Sequence, residues 1–287
     1  MTTIDIWRRE KHSAATRFRR AMPASGVSYR LSAALAGVSA VAALLTYFVP
    51  GILTGPAAMN GSARGTALVV FGVAVPLLVW SMRAASRGSV RAVVAWLGAV
   101  AYLLYNAVMF VFATPFNRLF LLYVAMLSLA IWAVVTMLRR LDIGVVRSGT
   151  MPGRGIAIYL WVVVTLNAVA WLSAIVPALF ARTPAGLLAG SGLTTNPVYA
   201  QDLAFWLPLA AVAGVWLWHR RPWGYLIGGA VLTMWVLESI SIAVDQWYGH
   251  AADPASPVVS AGMVWVFAAL AAIGCVPIYF YYRRLAK

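Results

Sequence analysis
Apolar runs close to 20 residues long recur along almost the whole chain, with clusters of arginine or loop residues between them. A run of that length crosses the roughly 30 Å hydrocarbon core of a bilayer as an α-helix. Eight runs are legible, at about 31–48, 66–82, 92–113, 119–138, 156–180, 202–218, 223–246 and 258–282. They predict an all-α fold, a polytopic transmembrane helix bundle. A membrane barrel fits poorly, because its strands alternate in polarity over about 10 residues, whereas these runs are continuously apolar. Only 10% of the 287 residues are charged, against about 25% in soluble domains. The longest polar stretch is the N-terminal 30 residues, so residues 30–287 are expected to form a single eight-helix membrane domain.

The formal charge of +15 suggests nucleic acid at first, but its placement does not. With eight spans and both termini on the cytoplasmic side, the five inner segments hold 19 of the 22 basic residues, and the outer loops hold only Arg64, Arg118 and Arg182. That is the positive-inside pattern, and a missed or extra span would destroy it. The expected location is the cytoplasmic membrane. The expected partners are the bilayer itself and anionic lipids at its inner face, with no nucleic acid.

Residues 1–29 form a basic segment in which Ile4, Trp7, Ala14, Phe18 and Met22 share roughly one helical face. This predicts an amphipathic helix on the inner membrane surface. The apolar run after it is of full span length, so it reads as an uncleaved first span. Cys275 is the only cysteine, which removes an intrachain disulfide and suggests no thiolate metal site.

Spans 1–4 and 5–8 would each begin inside, so the halves are candidates for parallel repeats. Pro76 in span 2 and Pro208 in span 6 invite that alignment. Counting from Gly88 and Gly224 sets Tyr102 beside Glu238.

Two stretches, YLLYNAVMFVFATPFNRLFLLYVAMLSLA at 102–130 and AQDLAFWLPLAAVAGVWLWHRRPWGYL at 200–226, carry Tyr105, Phe116, Asn117, Phe120, Tyr123, Asp202, Pro208, Arg220, Arg221, Pro222, Trp223 and Gly224. They resemble a family of bacterial multi-pass membrane proteins without an assigned activity. The resemblance runs from span 2 to span 7 and implies the architecture, not a reaction. It also implies a Glu in the outer part of span 5 and a Lys in span 7. Ala174 and Met234 stand in those places here, so no intramembrane ion pair is implied, and Glu238, one turn on, is peculiar to this chain.

Glu238 is the one ionisable residue deep within a run, and such a residue is costly and a default functional suspect. Asp245 lies seven residues on, on the same helical face and about 10 Å nearer the outside. Ser241 falls close to that stripe. One reading is a proton or cation path descending from outside. The other, which the sequence favours, is a neutral Glu238 hydrogen-bonded to Tyr102, Asn106 or Asn167. Asp202, Asp245, His250 and Asp253 face outward with the three outer arginines, and solvated loop charges explain them better than a metal site does.

The absences narrow the function. The only lysines are Lys11 and Lys287, so no span carries a retinal Schiff base. His12, His219 and His250 do not pair at mid-membrane depth, which removes bis-histidine haem. No HExxH, G-x-S-x-G or phosphate-binding loop occurs. No cofactor is expected. The first expectation is a small-molecule or ion permease, or a component of one, with its polar site in the outer half of span 7. A non-catalytic scaffold or envelope sensor is the alternative, and a lipid-modifying enzyme ranks third.

Overall fold
The computed structural model describes residues 26–141, 143, 146, 153–182 and 184–285. The predicted N-terminal amphipathic helix lies outside these. Eight helices are long and apolar enough to cross a membrane: α1 (Val27–Phe48), α2 (Ala57–Ser86), α3 (Val90–Phe112), α4 (Phe120–Arg140), α5 (Gly153–Leu179), α6 (Pro197–Trp218), α7 (Pro222–Ala252) and α8 (Ala261–Arg284). The described residues contain no strand. The fold is the all-α, eight-span bundle that the hydropathy pattern predicts.

Two helices outrun their predicted spans. Helix α2 starts nine residues before Thr66, through Asn60, Ser62 and Arg64, and α7 continues six residues past Gln246. These extensions pack on each other in antiparallel fashion. Gly61 faces the Tyr248 carbonyl and Gly249, and Gly65 faces Val244 and Asp245. Glycines here let the two backbones touch. A methyl group on Gly65 would fall 2.7 Å from the Asp245 Cα.

Helices α3 and α7 form the centre. In its most apolar stretch α3 is 83% buried, whereas α5 is 0% buried. Gly98 on α3 meets Ala230 and Thr233 on α7, and Asn106 meets Glu238 further along, so the two helices run parallel. Three crossings, α4 to α6, lie between them, which requires that direction.

Helices α2 and α6 repeat one pattern, and the backbone fixes its register. Helix α2 carries a π-helical turn at Val70–Ala74, and α6 carries one at Asp202–Trp206. Each turn lies just before a proline, Pro76 or Pro208. Proline lacks an N–H and its ring clashes with the carbonyl four residues back, and a widened turn absorbs both faults. The helices then end in the same motif. Gly88 N–H donates to Ala85 O and Ser89 N–H to Ala84 O, while Arg220 N–H donates to Leu217 O and Arg221 N–H to Trp216 O. This is the Schellman closure, whose turning residue is left-handed. Gly88 has φ 98° and Arg220 has φ 55°.

Every one of these pairs differs by 132 in residue number, as 88 and 220 do. The expected register, counted from Gly88 and Gly224, is therefore off by four residues. The true counterpart of Gly88 is Arg220, and the counterpart of Glu238 is Asn106, not Tyr102.

Candidate functional site
Helix α7 carries Glu238 16 residues from Pro222 and 14 from Ala252. At 1.5 Å per residue that is about 24 Å and 21 Å from its ends, close to mid-helix.

Asn106 on α3 donates from Nδ2 to Glu238 Oε2 at 3.0 Å, and also to the Tyr102 carbonyl at 3.1 Å. Asn106 is 2% exposed, while Glu238 is half-buried. The carboxyl thus turns into the bundle, while the residue as a whole retains some accessible surface. One turn on, the Tyr102 hydroxyl donates to Ser241 Oγ at 3.0 Å, both residues being buried. Two of the three partners expected for Glu238 therefore belong to its neighbourhood, with Asn106 bonded to it and Tyr102 bonded to Ser241. Asn167 instead donates to the Val163 carbonyl on its own helix, α5, at 3.0 Å.

Equivalent residues touch along this seam. Asn106 and Glu238 are a repeat pair, and so are Gly98 and Ala230. Both pairs lie on one line between α3 and α7, the axis along which equivalent positions meet. Tyr102 and Met234, the pair between, are 0% and 1% exposed.

Asp202 opens the π-turn of α6. The Trp171 indole of α5 donates to its Oδ2 at 2.9 Å, and the Tyr105 hydroxyl of α3 lies beside it. Tyr105 in turn packs on Trp206, with ring centroids 6.1 Å apart. Asp245 accepts from Gln246 Nε2 at 3.2 Å, and its backbone carbonyl accepts from Ser62 Oγ of α2 at 3.2 Å. Among the described residues, the charges that act on Glu238 are those of Asp245 and Asp202, both of its own sign.

Among the described residues, the carboxyl groups are confined to the second half. Counterparts of Asp202, Glu238 and Asp245 in the first half are Val70, Asn106 and Ala113. Trp171 and Tyr105 were not expected as site residues. Tyr105 entered only through the family resemblance, and nothing in the local pattern around Trp171 distinguishes it from other lipid-facing aromatics. His250 has a buried Nδ1 without a hydrogen-bond partner, and Asp253 caps Ala255 at the exposed end of α7. No group of three His, Cys, Asp or Glu residues that could hold a metal occurs among the described residues.

Comparison with family models, with curated proteins and with solved structures found no match.

Proposed function
We propose that this protein is a permease for a small molecule or ion, or a component of one, with its polar site on the repeat axis. The observation that carries this is Glu238, an ionisable side chain near mid-helix, turned inward, bonded by one amide and acted on by no opposite charge among the described residues. Ionisable groups within spans mark substrate or ion pathways. Transporters built from parallel repeats place their sites near the midplane at the repeat interface. Glu238 and Asn106, bonded between α3 and α7, suit such a site, and Asp202 and Asp245 extend acidic character toward one end.

Purified protein in liposomes, with an imposed membrane potential, tests this reading. Wild-type protein is expected to admit protons or monovalent cations, and Glu238→Gln to abolish entry while the protein melts unchanged. Equal ion entry in protein-containing and empty liposomes would return the protein to the scaffold or envelope-sensor class.

The resemblance of residues 102–130 and 200–226 supports a bacterial cytoplasmic membrane, and the division of basic residues supports cytoplasmic termini. Reporter fusions after Ser148 and after Thr194 should then report opposite sides, and agreement between them overturns the topology.

A further inference from the structure
A cavity of about 710 Å³ lies where the end of α5 meets the start of α6, away from the repeat axis. Its volume is within the roughly 300–1,000 Å³ of small-molecule sites. Ile175, Ala178 and Leu179 form one wall, Leu203 and Ala204 of the π-turn another, and Leu187 and Leu188 close it from the connecting loop. Thr194, Thr195 and Asn196 stand together at its polar side. Asn196 uses Oδ1 to accept from the Val198 and Tyr199 amides, so the Nδ2 hydrogens are what it can offer a guest.

We propose that this cavity is a lipid site, taking one acyl chain with its hydrogen-bond-accepting head at Thr194, Thr195 and Asn196. Three features choose this occupant. The lining is apolar along the helices and polar only where the loop joins α6, which matches a chain with a polar end. Leu179 is 69% exposed, so one wall opens at the molecular surface. That surface belongs to α5, the apolar helix that leaves its most apolar stretch 0% buried and so open to acyl chains. The apolar molecules present at that depth, at molar concentration, are acyl chains. A water-soluble apolar ligand would have to reach the cavity against that competition.

The site stands independently of transport, yet its geometry reaches the polar cluster. Tyr199 lines the cavity and packs on Trp171 with ring centroids 4.8 Å apart, and Trp171 holds Asp202. Leu203 and Ala204 belong to the same π-turn as Asp202. An occupant therefore presses on the turn that presents Asp202.

Cysteine protection reads occupancy directly. In a Cys275→Ser background, Ala178→Cys lines the cavity, and Leu121→Cys, on the exposed face of α4, serves as the reference. Palmitoyl lysophosphatidylcholine is expected to slow modification of Ala178→Cys by a small thiosulfonate reagent at least fivefold more than that of Leu121→Cys. Equal slowing at both positions overturns the proposal. Native mass spectrometry of the purified protein gives a second reading. Filling the cavity with Ala178→Trp or Ala200→Trp should remove one retained lysolipid, whereas Leu121→Trp should not. Retention of the same number by filled and unfilled proteins overturns it equally.

Discussion

Asn106 and Glu238 stand at equivalent distances beyond the matching turns that end α2 and α6, and they meet each other at 3.0 Å between α3 and α7. The bond has a direction, because the amide donates and the carboxyl accepts. Burial makes the partners interdependent, since a polar group left unpaired away from water costs about 1–3 kcal/mol. Glu238→Gln should therefore keep the thermal midpoint in detergent close to that of the wild type. Glu238→Leu should lower stability by about 1–3 kcal/mol, because it strands the Asn106 amide. The exchange Asn106→Glu with Glu238→Asn should recover part of what either single change loses, with coupling in the range of about 0.5–3 kcal/mol. Strictly additive losses would show that the two side chains do not depend on each other.

The π-turn in α6 contains one residue more than an α-helical path would need. Deleting Phe205, which is 51% exposed, should turn the segment into regular helix and leave the residues on either side in phase. Deleting Ala213, in the regular α-helical stretch, should rotate everything beyond it by about 100°. The first deletion is expected to yield folded protein on size exclusion, and the second is not. Loss of both proteins to the same extent would argue against a removable turn.

Arg220 holds a left-handed conformation that glycine holds at the equivalent turn. A side chain there costs roughly 1–2 kcal/mol relative to a right-handed position. Arg220→Gly should raise the thermal midpoint, by the equivalent of about 1 kcal/mol. Gly88→Arg should lower it by a similar amount, since it copies the strain into the first half. A lower midpoint for Arg220→Gly would mean that the guanidinium contributes more than the backbone loses.

Gly65 and Gly37 differ in what a methyl group would meet. At Gly65 it would press on the backbone of Asp245, and at Gly37 nothing lies within 4 Å. Gly65→Ala should force α2 from α7 and cost about 1–3 kcal/mol, in the range of overpacking. Gly37→Ala should be neutral or slightly stabilising, because alanine favours helix. The pair of melting curves checks this, with equal shifts as the contrary outcome.

The spans were legible because hydropathy over 20 residues responds only to the solvent around a helix. Helix ends were less legible, because they depend on contacts. Asn60, Ser62 and Arg64 are polar enough to read as loop, yet Gly61 and Gly65 between them are helical and pack on α7. The far end of α7, through Tyr248 and His250, was lost for the same reason. The repeat was legible in Pro76 and Pro208. Its register was not, because matching glycine to glycine picks Gly224, whereas the chain makes the turn with an arginine. Glu238 stood out by its depth, and Asn106 was among its expected partners. Asn167 resembled them in sequence but forms its bond within α5. Trp171 carried no signal at all, since its role depends on where a π-turn aims Asp202.

The length of α2 and α7 has a mechanical meaning. They hold 30 and 31 residues, which makes each about 45 Å long, while the hydrocarbon layer is about 30 Å thick. Tilt alone absorbs such a surplus poorly when both are tied to neighbours. Where α2 begins and α7 finishes, Gly61 and Gly65 clamp the two rods together. That end is a twin post held by backbone contact rather than fraying into loops. Asp245 rides on this post, and Glu238 lies about 10 Å along the same shaft.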